Sequence, residues 1–172
     1  MKRIGWMSAL VLAFAPLALA DENKPLGISI RAGQFYPSAG LARNEGKTWF
    51  SGGIEFKLSN LKAPAMGETP AFWTISADWY GKGDLSNVPV LLNLVSPSGD
   101  AYFSFGAGVG FNQDFDVVNN VRENKRDTQW AFQLSAGYNL RRFKLPVFVE
   151  ARYFGNLNDR LNGFGFFAGV RL

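Results

Sequence analysis

The strongest constraint on the fold of this chain is a strict alternation of apolar and small side chains near its middle. Phe103, Phe105, Ala107, Val109 and Phe111 occupy every second position, and the positions between them are Gly or Ser. Successive side chains of an extended strand point to opposite faces, so this segment has one apolar face and one small face. The period of two predicts a β-strand and does not fit an amphipathic helix.

The same period recurs along the chain after residue 20, in segments bounded by Gly, Asn, Asp, Pro and Lys. Most segments have about the 9–11 residues that a tilted strand needs to cross a lipid bilayer. Eight antiparallel strands of this length can close into a barrel that has no free edge. The predicted strands are 26–36, 48–58, 71–81, 88–95, 101–112, 128–140, 145–155 and 162–172.

The alternation alone does not say which face meets which solvent. A soluble ligand-carrying barrel would enclose its apolar side chains and expose many Lys, Glu and Thr residues. Here the non-apolar face is mostly Gly, Ser, Ala and Asn, which suits a narrow eight-stranded interior, whereas the opposite face is large and aromatic. The sequence therefore favours an all-β, eight-stranded, antiparallel transmembrane up-and-down β-barrel. A soluble lipocalin-like barrel or sandwich is the alternative.

Trp and Tyr residues cluster near the ends of the predicted strands rather than at their middles. Amphipathic rings are enriched at both membrane–water interfaces, so this placement predicts two aromatic belts. The predicted belt residues are Tyr36, Trp49, Trp73, Trp79, Tyr80, Tyr102, Trp130, Tyr138 and Tyr153.

Several charged residues lie on the small-residue face, which the membrane interpretation places inside the barrel. They are Arg31, Glu55, Lys57, Asp78, Glu150, Arg152 and Arg171. A buried unpaired charge is costly, so charges of both signs that line one lumen are expected to pair. Such a network would plug the barrel; a gated or very narrow ion path is the functional alternative.

The connections between the predicted strands also follow a pattern, although with exceptions. Outer-membrane barrels have long outer loops and short periplasmic turns. The predicted outer connections are 37–47, 82–87, 113–127 and 156–161; tight turns lie near 96–100 and 141–144, and 59–70 is long for a turn. The 113–127 loop is the most polar, and it either binds a partner or shields the barrel mouth.

The composition excludes many common kinds of enzyme active site. The chain has no Cys and no His, which removes thiolate nucleophiles, the commonest metal ligands and the commonest general base. Its alternate glycines lie within strands rather than before a helix, so they do not form a nucleotide-binding loop. A net charge of +4 on 172 residues is too small and dispersed to indicate nucleic acid. The sequence predicts no catalytic, cofactor or metal site.

The first twenty residues have the features of a secretory signal. Lys2 and Arg3 precede a mostly apolar run, and Ala18-Leu19-Ala20 forms an A-x-A cleavage site. The run is too short for a membrane-spanning helix. We expect residues 1–20 to be removed during export through the Sec pathway, and residues 21–172 to form one barrel domain.

Together these features resemble the small eight-stranded outer-membrane barrels, the OmpA/OmpX-like group. The resemblance covers 21–172 and rests on the signal, the eight alternating segments, the glycine-rich segment 105–111, and a final strand that ends Gly169-Val170-Arg171-Leu172. It departs at Leu172, where such barrels usually carry an aromatic residue that the barrel-assembly machinery reads. The resemblance implies a Gram-negative outer membrane, contact with lipopolysaccharide and phospholipid, and insertion by that machinery.

Three functions are compatible with this reasoning. The first is a structural or interaction protein that displays surface loops on a plugged narrow barrel. The second is a narrow channel for ions or small solutes, and the third is a soluble periplasmic lipid-binding barrel. Lipid-modifying barrels of similar size use a catalytic His, which this chain lacks, so the resemblance does not imply an enzyme.

Overall fold

The computed structural model describes residues 27–64, 70–118, 121–140 and 146–172. Within them lie eight antiparallel strands, each paired with the next along the chain, and the last pairs with the first to close a barrel. The predicted signal, 1–20, lies outside the described residues. The strands are β1 (Ile28–Pro37), β2 (Trp49–Leu58), β3 (Phe72–Lys82), β4 (Leu85–Ser98), β5 (Ala101–Val118), β6 (Val121–Leu140), β7 (Val147–Asn156) and β8 (Gly163–Arg171).

The orientation of the two faces is the one that the sequence favoured. Phe103, Phe105 and Phe166 each expose more than half of their surface on the outside of the barrel, whereas Gln133 is fully buried inside. Because side chains alternate strictly along a strand, this assigns the small and polar set to the interior. The predicted fold, an eight-stranded up-and-down β-barrel, is therefore confirmed.

The two ends of the barrel differ in their connections. We call the end where β1 begins and β8 finishes the terminal end, and the opposite one the hairpin end. At the hairpin end, the predicted 82–87 loop is wrong, because β3 and β4 meet at a two-residue turn. Gly83 begins that turn with a φ of +62°, a left-handed conformation that favoured two-residue hairpin turns require and that glycine adopts without strain.

The predicted 113–127 loop is also wrong, because β5 and β6 stay paired to Val118 and Val121. β4 pairs with β5 only as far as Gln113, and β7 pairs with β6 only from Ala131, so the two strands continue beyond the barrel as a ribbon. We call the described residues 114–118 and 121–130 the β5–β6 ribbon. Among its described side chains, Phe115 packs against the apolar cluster at this end, whereas those from Arg122 to Arg126 are exposed. The sequence therefore lacks a continuous apolar period although the backbone ladder is intact.

Two short helices complete the hairpin end. They are α1 (Gly40–Glu45) and a 3-10 helix (Asp159–Leu161), and each buries one side chain, Ala42 and Leu161, in the apolar cluster beneath it. None of the helices in the described residues has the length and hydropathy needed to cross a membrane.

Candidate functional site

The interior of the barrel contains a layer of buried charges near its middle. Arg31 of β1 binds Asp78 of β3 through two parallel contacts, Nε to Oδ1 at 2.8 Å and Nη2 to Oδ2 at 2.7 Å. The Nη1 atom of Arg31 also donates to Oε2 of Glu55 on β2, at 2.8 Å. Bidentate arginine–carboxylate pairs are among the strongest hydrogen-bonded contacts in proteins. Together with the Glu55 contact, this pair joins β1, β2 and β3 inside the barrel.

Arg152 of β7 enters the same layer from the other wall. Its guanidinium donates to Glu55 Oε2 at 2.8 Å, to Asp78 Oδ2 at 3.3 Å and to Gln133 Oε1 at 2.5 Å, and its Nε donates to Glu150. The side chains of Arg31, Asp78, Glu150 and Arg152 are at most 3% exposed, and that of Glu55 is 14% exposed. We call these five residues the charged layer.

Neutral polar groups extend the charged layer to the remaining walls. Gln133 of β6 donates to Asn93 of β4 at 2.7 Å, and Tyr102 of β5 donates to Glu150 at 2.7 Å. The glycine stripe of β5 makes room for them, because a Cβ atom at Gly106 would lie 1.9 Å from Oδ1 of Asn93. Close side-chain packing across the lumen is therefore the reason for glycine at that position.

Lys57 and Arg171 were also predicted in the network, but they lie nearer the terminal end. The Lys57 ammonium sits 4.5 Å from the Phe72 ring centroid, and the Arg171 guanidinium sits 4.6 Å from that of Tyr102. Within the part of the chain that the structure describes, neither makes a salt bridge. Cation–aromatic contacts replace ion pairs at this end.

An aromatic layer fills the interior between the charged layer and the hairpin end. The Phe35 and Tyr80 rings stack with centroids 4.2 Å apart, and Phe154 packs 5.0 Å from Tyr80. The Tyr80 hydroxyl donates to the carbonyl of Leu161 at 3.0 Å and accepts from Asn87 at 2.8 Å. The buried members of this cluster are Phe35, Ala42, Trp49, Tyr80, Leu85, Phe154, Leu161 and Phe167.

The prediction of an interface belt is therefore wrong for three residues, because Trp49, Tyr80 and Tyr102 are buried inside the barrel. A position near a strand end fixes the height of a residue along the barrel axis, but the parity of its position fixes the face. Tyr80 shares parity with Asp78, so it points inward. The other predicted belt residues are exposed or half-buried: Tyr36, Trp73, Trp79, Trp130, Tyr138 and Tyr153.

The β5–β6 ribbon is tied to the rest of the hairpin end both near its base and near its far end. Arg160, in the 3-10 helix, donates to Asp114 at 3.2 Å and to the carbonyl of Phe115 at 3.0 Å. Arg122 lies 3.0 Å from Glu45 of α1 and 3.5 Å from Asp84 of the β3–β4 turn. These contacts attach the ribbon to all three other connections at this end.

No protein-family model matches the chain, and no curated protein matches it. Solved structures do match. The N-terminal β-barrel domain of Pseudomonas aeruginosa OprF aligns with a TM-score of 0.52 at 11% identity, covering 87% of this chain and 100% of that one. Neisserial surface protein A aligns with a TM-score of 0.51 at 12% identity, covering 84% and 94%.

The Yersinia pestis outer membrane protein Ail, solved in a phospholipid bilayer nanodisc, aligns with a TM-score of 0.52 at 14% identity. That match covers 84% of this chain and 98% of Ail. The chain has the fold of the small outer-membrane barrels. At sequence identities of 11–14%, the similarity shows a shared backbone fold only. The roles of the side chains in this barrel must be argued from their own contacts.

The aromatic layer is the part of the interior that the sequence reasoning missed. Phe35, Phe154 and Phe167 share strand parity with Arg31, Arg152 and the interior glycines, so their inward direction was available from the pattern. The packing of Phe35 and Phe154 against Tyr80 was not available, because it joins strands that are not neighbours in the sheet. Among the described residues, no group of three or more side chains is placed to hold a metal ion.

Proposed function

We propose that this protein is an integral outer-membrane barrel with a sealed lumen, and that its role is structural or interactive. It would hold a fixed place in the cell envelope and display the β5–β6 ribbon to the outside. The observation that carries the proposal is the combination of an exposed apolar outer wall with an interior filled by the charged and aromatic layers.

The outer wall supports a membrane location. Soluble monomers rarely expose apolar patches larger than a few hundred Å², and larger ones mark a protein or membrane contact. Here exposed large apolar side chains occur on every strand of the barrel, so lipid is the solvent that they fit. They include Phe50, Phe56, Ile75, Leu92, Phe103, Phe105, Phe132, Leu134, Val149, Phe164 and Phe166.

This location also defines the partners that we propose. Phospholipid and lipopolysaccharide would contact the wall, and the barrel-assembly machinery would insert the chain after its export through the Sec pathway. A soluble periplasmic carrier is the opposite case, because it would enclose these side chains around its ligand. The wall argues against that alternative.

The interior supports a sealed lumen rather than a channel. An open path would have to pass both the charged layer, where Arg31, Asp78 and Arg152 are fully buried, and the aromatic layer beyond it. The proposal assigns no catalytic role, because the carboxylates of the charged layer are all engaged by arginine or tyrosine.

The β5–β6 ribbon supports an interaction role. Its described side chains from Arg122 to Arg126 are all exposed, and the contacts given above hold it at two places, through Arg160 near its base and through Arg122 near its far end. Binding residues are often carried by loops that a rigid frame positions. A paired ribbon presents such residues with less conformational freedom than a loop would, so less entropy is lost on binding.

Single-cysteine labelling tests the location and the orientation together. The chain has no native Cys, so Lys125→Cys on the ribbon and Lys57→Cys at the terminal end each create one reactive site. We expect a membrane-impermeant maleimide to label Lys125→Cys on intact cells and to label Lys57→Cys only after lysis. Labelling of both variants only after lysis, or recovery of the protein without detergent, would refute the outer-membrane placement.

Planar-bilayer recording tests the sealed lumen. We expect the folded barrel to give no large, steady single-channel currents, because two packed layers block the interior. A porin reconstituted in the same bilayer serves as the positive control. Steady currents from the barrel would instead favour the narrow channel and would remove the plugged interior from the proposal.

A further inference from the structure

A cavity of about 250 Å³ lies inside the barrel between the charged layer and the terminal end. It has room for about eight water molecules or one organic molecule of amino-acid size. We call it the terminal chamber. Its lining mixes charged, hydroxyl and apolar groups, among them Glu55, Lys57, Phe72, Thr74, Val95 and Arg171.

The outer part of the terminal chamber is cationic. Lys57 lies over Phe72, and Arg171 lies over both Tyr102 and Phe148. Val95, Tyr102 and Phe148 form one apolar cluster against which Phe72 packs, so the two cations sit on the same small surface. Because neither makes a salt bridge with any described residue, their charges are available to an anionic group that enters the chamber.

The inner part of the chamber is acidic. The charged layer contains two guanidinium groups and three carboxylates, so it carries one excess negative charge. Glu55 is its most exposed member and lines the chamber. Both arginines bind the Oε2 atom of Glu55, and the Thr74 hydroxyl also hydrogen-bonds this carboxylate. A carboxylate has about four lone-pair sites, so Glu55 retains acceptor capacity for a donor in the chamber.

We propose that the terminal chamber binds a small zwitterion that carries both an ammonium and a carboxylate, such as a free amino acid. The ammonium binds Glu55 at the inner wall, and the carboxylate binds Lys57 and Arg171 at the rim. The apolar part of the molecule lies on Phe72 and Val95. This binding site goes beyond the envelope role proposed above and does not depend on the ribbon.

The polarity of the chamber selects against molecules with a single charge. A simple anion would gain the two rim cations but would face the excess negative charge of the inner wall. A simple cation would gain Glu55 but would have to pass Lys57 and Arg171. Only a molecule with both charges satisfies the two ends at once, through charge-assisted hydrogen bonds that are stronger than those between neutral groups.

The probe for this site is L-leucine, compared with two molecules that each lack one of its charges. Isocaproate is leucine without the amino group, and isoamylamine is leucine without the carboxylate. Titrations of the isotope-labelled, full-length barrel are followed by NMR at the backbone amides of Thr74 and Ser104. We expect leucine to bind in the millimolar range, and each analogue to bind at least about tenfold more weakly.

Rim variants locate the binding. Lys57→Met and Arg171→Gln are each expected to weaken leucine binding by about tenfold or more. Lys47→Met and Arg43→Gln make the same changes at exposed positions of the hairpin end, and they should leave binding unchanged. Retained dispersion of the NMR spectrum shows that each variant is folded.

Three results would overturn the proposal. They are the absence of saturable leucine shifts, equal binding of isocaproate or isoamylamine, and binding that survives both rim substitutions. None of these results bears on the labelling or conductance experiments, so a failure of the zwitterion site and a failure of the proposed envelope role are distinguishable.

Discussion

Replacing Arg152 with methionine is expected to lower the free energy of unfolding of the barrel by about 3–5 kcal/mol. Arg152 contacts Glu55, Asp78 and Glu150, and its removal leaves three buried carboxylates against the single guanidinium of Arg31. Removal of one partner from a buried ion pair costs far more than the pair itself contributes, because the remaining charge is desolvated without compensation. Urea unfolding of the barrel in phospholipid vesicles, followed by Trp fluorescence, measures the change.

Two further variants show whether uncompensated charge is the cause. Arg126→Met removes an exposed arginine from the ribbon part of β6, the strand that pairs with the strand of Arg152. It should have little effect on the free energy of unfolding. Adding Glu150→Gln to Arg152→Met removes one of the stranded carboxylates and should recover part of the lost stability. If Arg152→Met and Arg126→Met behave alike, the charged layer contributes nothing to the stability of the fold.

The strands and their faces could be predicted from the sequence because both depend on local geometry. Side chains of a strand alternate whatever the rest of the molecule does, so the Phe103 and Phe105 face was assigned correctly without knowledge of any contact. The choice of lipid for that face followed from the chemistry of the opposite one. Glycine and serine fit a narrow interior, whereas the outer face of a soluble barrel would carry many Lys, Glu and Thr residues.

The contacts inside the barrel could not be predicted, because they depend on how the sheet closes. Arg31 and Asp78 are 47 residues apart and lie on strands that are not neighbours. Which inward residues meet across the lumen depends on the stagger of all eight strands, and no single segment encodes it. Parity could place Arg31, Asp78 and Arg152 in the same interior, but it could not identify their partners.

The ribbon was missed for a different reason. The 113–127 segment is rich in charged residues, and polarity without an apolar period normally indicates a loop. Backbone hydrogen bonds do not require apolar side chains, and beyond Phe115, which packs against the apolar cluster, the described side chains from Arg122 to Arg126 are exposed and follow no apolar period. Its pairing, from Asp114 with Lys125 to Val118 with Val121, continues the register that the barrel part of β5 and β6 has already set.

Substitution of Leu134 with arginine is expected to cost about 2–4 kcal/mol of unfolding free energy in phospholipid vesicles, because this position faces the middle of the outer wall. Leu134 is 52% exposed and pairs with Phe105 and Tyr153 in the central part of the barrel. A buried arginine in hydrocarbon must be solvated by distortion of the bilayer. Paired urea titrations of the variant and the wild type measure this cost.

The control lies on the same face of the same strand. Thr128 is exposed and is six residues from Leu134, about 20 Å along β6 and beyond the exposed Trp130. Thr128→Arg should therefore cost at most about 1 kcal/mol, because the side chain reaches the headgroup region. A soluble barrel would tolerate arginine equally at both exposed positions, since water would surround each of them. A steep difference between the two variants identifies lipid as the solvent of the outer wall, and equal effects would refute it.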